Sequence, residues 1–159
     1  MRRRLVVLRH AKSEWPDGVA DHERPLAARG RREAPLAGRW LDENVGTIDL
    51  VVCSPARRAR QTCALVVEEL ATAPAVSVED RLYPGSPSDI VAVVRKLPDG
   101  IRTVLLIGHN PGLEELVEEL AATDCVLKTS SIAVLSGPGD WAAVVPGWAT
   151  LDAETTPRP

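Results

Sequence analysis

The chain has 159 residues, 45% hydrophobic and 26% charged, with a formal net charge of −3 and three cysteines. That size suits one soluble domain with a sizeable core. The mildly acidic balance argues against a nucleic-acid or membrane-surface partner. Arg2-Arg3-Arg4 is the one basic cluster that favours either. Only four apolar residues follow it before Arg9, against the roughly 7–15 of a secretory h-region. No run approaches the ~20 residues that span a bilayer, so a cytoplasmic placement is expected. Cys53, Cys63 and Cys125 form no C-x-x-C pair and read as small buried hydrophobes.

Taken in chain order, Arg4–Leu8 reads as a buried strand and Lys12–Pro25 as a polar loop broken by Pro16, Gly18 and Pro25. Ala28–Asn44 follows as a helix, despite Gly30, Pro35 and Gly38. Asp49–Cys53 is a second strand. Ala56–Ala71 is a second helix, apolar at Ala59, Cys63, Val66, Val67 and Leu70. Val76–Val78 is a short strand, Ser88–Lys96 a third helix and Thr103–Ile107 a third strong strand. Leu113–Ala122 is a helix with Leu113, Leu116, Val117 and Leu120 on one face. Ile132–Leu135 and Trp141–Val145 look like two strands joined by the turn Ser136-Gly137-Pro138-Gly139-Asp140. A tail from Asp152 is expected to fray. Alternating strands and helices predict a three-layer α/β/α sandwich on a mostly parallel sheet, with residues 1–151 as the domain and 152–159 as the tail.

The three strong strands all end in polar clusters: Arg9-His10, Ser54-Pro55-Ala56-Arg57-Arg58 and Gly108-His109-Asn110-Pro111-Gly112. Parallel strands would deliver all three to the carboxyl edge of one sheet, where open α/β sheets bind ligands. In the second cluster, Ser54 suits an N-cap and Pro55 the first helical position. Arg57, Arg58 and Arg60 then oppose the helix dipole, at a cost of ~0.3–1 kcal/mol each. A bound anion reverses that cost, because helix N-termini and arginines both favour phosphate. In the third cluster, Asn110 can cap, Pro111 fits the first helical turn, and Gly112 lets a ligand approach the backbone. A lone histidine or three solvated arginines would be unremarkable; two histidines and several arginines at one edge point to phosphoryl transfer. Neutral imidazole attacks phosphorus, arginines hold the phosphoryl oxygens, and no metal or other cofactor is required.

These residues resemble the histidine phosphatase superfamily, the phosphoglycerate mutase-like fold. Leu8-Arg9-His10-Ala11 is similar to its R-H-G motif, with Ala11 in place of the glycine. Ser54 to Thr62 resembles its S-P-x-x-R-A-x-Q-T motif, and Gly108-His109-Asn110-Pro111 its second-histidine motif. Asp21 to Gly30, with Arg24-Pro25-Leu26 inside, resembles the segment that leads into the first helix. The short length is similar to the SixA-type phosphohistidine phosphatases. The resemblance implies His10 as nucleophile, with Arg9, Arg58 and His109 catalytic and binding phosphate, and it puts the phosphate arginine on Arg58 rather than Arg57. Pro16 stands where many relatives carry a phosphate-contacting asparagine. Asp80, before Arg81-Leu82-Tyr83, is the nearest match to the family's acid and reads more readily as a solvated loop residue. The expected function is phosphatase chemistry through phospho-His10, with a phosphorylated protein as substrate. The alternatives are a small phosphorylated metabolite as substrate, or a phosphate-binding module without turnover.

Overall fold

The computed structural model describes residues 2–159. Six strands form one sheet in the order β3-β2-β4-β1-β5-β6. They are β1 (Arg2–Arg9), β2 (Leu50–Cys53), β3 (Ala75–Val78), β4 (Thr103–Gly108), β5 (Ile132–Pro138) and β6 (Thr150–Thr155). The first four run parallel; β5 is antiparallel to β1, and β6 antiparallel to β5. The helices are α1 (Ala28–Asn44), α2 (Arg57–Val67), α3 (Pro87–Arg95) and α4 (Gly112–Ala121). Among the described residues no helix is long and apolar enough to cross a membrane.

Side-chain alternation along the central strands explains why both sheet faces are covered. On β1, Leu5 and Val7 enter the core beneath α3 and α4, while Val6 and Leu8 enter the core beneath α1 and α2. Strand β4 repeats the division, with Val104 and Leu106 on the first face and Leu105 and Ile107 on the second. The register aligns Leu5 with Val104 and Leu8 with Ile107, so equivalent side chains stack across strands. This is the expected α/β/α arrangement. The two helices of the second face pack closely because Gly38 leaves room: a Cβ there would lie 2.6 Å from the Val66 carbonyl oxygen.

Two expectations fail. Trp141–Val145 is not a strand; Trp141–Ala143 forms a 3₁₀ turn. Trp141 and Val144 are both buried while Ala142 and Ala143 are exposed, a spacing of three that a pleated strand does not provide. The Trp141 indole N–H also donates to the Ile101 carbonyl at 2.7 Å. The tail from Asp152 does not fray but lies within β6, pairing with β5 from Ser136 to Ile132. Without it β5 would present an unpaired edge. Beyond the strand, Thr156 meets Ser131 hydroxyl to hydroxyl at 2.6 Å, and Arg158 donates to the Thr129 carbonyl at 3.0 Å.

Candidate active site

The parallel strands place all three polar clusters at one edge, as their order requires. Arg9 pairs with Gly108, and the His10 amide donates to the Gly108 carbonyl at 3.1 Å. From β2, the Ser54 amide donates to Ile107 O at 3.0 Å. His10, Arg58 and His109 are thereby drawn together, all buried. The imidazole centroids of His10 and His109 are 5.1 Å apart. Arg58 lies between them, its Nε 3.3 Å from His10 Nε2 and its Nη2 3.5 Å from His109 Nδ1. Arg9 lines the same cavity of about 400 Å³, with Lys12, Ser13, Trp15, Asp21, Arg24 and Thr129 among its neighbours.

The His10 ring has a defined polarity. Its Nδ1 is 2.8 Å from the Ala11 carbonyl, which can only accept, so Nδ1 carries the proton. Nε2 is left with its lone pair facing Arg58 and the cavity. Burial, with some help from His109, Arg58 and Arg9, lowers the His10 pKa to about 3 despite the opposing Ala11 hydrogen bond. Burial and Arg58 lower that of His109 to about 4. Both rings are neutral near pH 7, as attack by nitrogen requires.

The helix starts differ from the sequence expectation in an informative way. Ser54 does not cap α2, whose N-cap is Ala56 with no side-chain bond. The Ser54 hydroxyl instead lies 2.7 Å from His109 Nε2 while accepting from the Ala56 amide at 3.2 Å. Helix α4 is capped at Pro111, not Asn110. Asn110 accepts from the Glu114 amide at 3.3 Å and donates to Leu127 O at 2.8 Å. Of the arginines set against the α2 dipole, Arg58 is buried in the cavity, whereas Arg57 and Arg60 are exposed. Arg60 donates back to Pro55 O at 2.9 Å. Ala11 has no left-handed φ, so an alanine meets no backbone strain at the position of the family's glycine. Its amide donates to Thr62 Oγ1 at 3.0 Å.

Several residues of the crevice carry no signal in the sequence strong enough to single them out. The Asp21 carboxylate accepts from Arg58 Nη2 at 3.1 Å, Arg24 Nε at 3.0 Å and the Tyr83 hydroxyl at 2.5 Å. Those bonds, that of Tyr83 foremost, hold Asp21 well below the usual carboxylate range. Arg24 is buried, donates to Ser13 Oγ and Glu14 O at 2.9 Å each, and stacks its guanidinium 3.5 Å from the Trp15 ring centre. Trp15 itself is 75% exposed at the rim. Tyr83 and Pro84 begin an adjoining groove that shares Asp21, Arg58, His109 and Asn110 with the cavity. Its floor is tight, since a Cβ on Gly112 would lie 1.9 Å from Gly85 O. Asp80 is exposed at the start of the 3₁₀ turn Asp80–Leu82 and lines neither hollow.

The sheet edge thus carries two neutral histidines with a buried arginine between their rings, and comparison with known proteins gives the class. The family model of the histidine phosphatase superfamily (branch 1) matches residues 5–83. An uncharacterised protein of Mycobacterium tuberculosis is 44% identical over 95% of this chain and all of its own length. Phosphohistidine phosphatase SixA of Escherichia coli is 32% identical over 81% of this chain and 82% of its own. A solved structure from Nakamurella multipartitia, assigned as a phosphohistidine phosphatase SixA, superposes with a TM-score of 0.88 at 34% identity, covering 99% of this chain and 97% of that one. The chain belongs to the histidine phosphatase superfamily, in its SixA-type group, and is a hydrolase of the phosphatase class.

Proposed function

We propose that the protein hydrolyses phosphohistidine on a protein substrate through a phosphorylated His10. His10 Nε2 attacks phosphorus, and the bond from phosphorus to the substrate imidazole breaks, with the departing nitrogen taking a proton from solvent. Water then attacks phospho-His10, its phosphorus–nitrogen bond breaks, and inorganic phosphate leaves with His10 restored. The Ala11 carbonyl, 2.8 Å from Nδ1, accepts the Nδ1–H and stabilises the positive charge that develops on the ring. Arg9, Arg58 and His109 supply donors to the phosphoryl oxygens, each worth a factor of roughly 10²–10³ in rate.

The state of Asp21 carries the choice of substrate. It is the carboxylate that lines both hollows of the crevice, and Tyr83, Arg24 and Arg58 hold it ionised. Such a group is a poor proton donor to an alkoxide, which needs one when an ester leaves. An imidazole leaving group, with a pKa near 6.5–7, asks far less of an acid. The solvent-exposed Trp15 at the rim suits a macromolecular substrate, since exposed tryptophans are favoured contacts at protein interfaces. Similarity to the phosphohistidine phosphatase of Escherichia coli supports the same reading.

The test compares a histidine-phosphorylated protein with sugar phosphates at equal concentration. Faster release of phosphate from the protein is expected, and a preference for the sugars would overturn the substrate. Acid-labile phosphate on the wild-type chain but not on His10→Ala is expected; its absence from both, together with no turnover, would leave a binding module.

A further inference from the structure

His109 is neutral above about pH 4, so its tautomer decides whether it offers a phosphoryl oxygen a proton or only a lone pair. The ring has two polar neighbours with conflicting demands. Ser54 Oγ is 2.7 Å from Nε2 and Arg58 Nη2 is 3.5 Å from Nδ1. Arginine only donates, so the second contact would favour a bare Nδ1. Yet 3.5 Å is at the limit of a hydrogen bond and is the longest polar contact of the Arg58 side chain.

The serine side is the stricter one. Ser54 is fully buried, and its hydroxyl has one hydrogen and two lone pairs to place. One lone pair takes the Ala56 amide at 3.2 Å. Were His109 Nε2 to donate into the other, the buried hydroxyl hydrogen would be left without an acceptor, because among the described residues His109 is its one hydrogen-bonding neighbour besides that amide. Buried donors without partners are disfavoured. Donation from Ser54 to Nε2 gives the buried hydroxyl a partner for its hydrogen as well as for its lone pair.

We propose that Ser54 is a positioning residue, whose hydroxyl donates to His109 Nε2 and holds the ring in its Nδ1–H form. The consequence is that Nδ1–H and Arg58 Nη2 face each other as two donors 3.5 Å apart with no acceptor between them. Two convergent donors are a fitting clamp for one anionic oxygen. This inference rests on reading the crevice as a phosphoryl site, and it adds what makes a neutral His109 a donor there. Sequence alone hides it, since a serine before a proline and a helix reads as a cap.

The direct test is nitrogen NMR of the ¹⁵N-histidine-labelled protein near pH 7.5, with His109 assigned by comparison with His109→Gln. An Nδ1-protonated ring is expected in the wild type, and an Nε2-protonated one would overturn the proposal. That measurement needs no substrate, so it stands apart from the fate of the phosphohistidine reading. In Ser54→Ala the ring should shift toward the Nε2–H form, and affinity for inorganic phosphate should fall about tenfold. A folded Ser54→Ala with unchanged tautomer and unchanged phosphate affinity would equally defeat it. Should that variant fail to fold, the wild-type tautomer decides alone.

Discussion

One strand carries an arginine near each end, and the two live differently. Arg3, toward the amino end of β1, is buried, with Nη1 donating to Asp99 O and Ile101 O at 2.6 Å each and Nε to Gly139 O at 3.3 Å. The Arg9 side chain, at the carboxyl end, makes one bond among the described residues, from Nη1 to Leu127 O at 2.9 Å, and its Nε is buried with no partner among them. The same residue type on the same element is thus a completed brace at one end and an open donor at the other. Buried donors are normally satisfied. In the proposed reaction, a donor held open beside two neutral histidines is placed to receive a phosphoryl oxygen. The basic cluster Arg2-Arg3-Arg4, which in sequence looks like a nucleic-acid feature, is accounted for by such braces: Arg4 donates to Thr103 Oγ1 and Val45 O.

Substitution at the two ends tests this contrast most severely. Arg9→Ala should lower kcat/KM about 10²–10³-fold while stability drops by about 1 kcal/mol, the worth of one hydrogen bond. Arg3→Ala should do the reverse, costing about 3 kcal/mol through the carbonyls it leaves bare with unchanged activity per folded molecule. Steady-state kinetics beside urea unfolding gives both numbers, and a loss of specific activity in Arg3→Ala would erase the distinction.

Protonation offers a second probe of the open end. The folded pKa values of His10 and His109, about 3 and about 4, lie below the ordinary 6.5. The unfolded chain therefore binds more protons between pH 6.5 and about 4, and stability must be lost as the pH is lowered through that window. Two such groups give a slope of up to about 2.7 kcal/mol per pH unit. Denaturant midpoints between pH 7.5 and 4.5 measure it, and a flat profile would mean the rings are not buried neutral. The smallest effect is expected at Arg57. As an exposed neighbour of the buried Arg58, Arg57→Ala should stay within about twofold of wild-type activity, whereas Arg58→Ala should approach the loss seen with Arg9→Ala. Equal losses at 57 and 58 would show that the wrong arginine has been assigned to phosphate.

Much of this was readable from residues because buried parallel strands write themselves as short apolar runs, and their ends write themselves as abrupt polarity. Arg9-His10 and His109 are visible for that reason, whereas Arg58 is told from its neighbours Arg57 and Arg60 only by the resemblance to the family's motif. Asp21, Arg24 and Tyr83 are not visible, since each is a polar residue in a loop whose meaning comes only from what folds against it. Ser54 was visible for the wrong reason, because capping a helix and orienting a histidine ask for the same hydroxyl. Strand β6 escaped notice because Thr150-Leu151-Asp152-Ala153-Glu154-Thr155 is half exposed along its length. Its place is set by the edge of β5 and not by its own hydrophobicity.

The last strand also bears on how the protein is made. Residues 127–131 grip the catalytic strand end through Ser130, whose amide donates to Arg9 O at 3.0 Å, and through the Arg9 amide, which donates to Ser131 O at 3.1 Å. That wall is in turn held by Thr156 and Arg158. His109 precedes Thr156 by 47 residues in the chain, and His10 precedes it by 146. A nascent chain therefore exposes both rings before the segments that wall them in have been made.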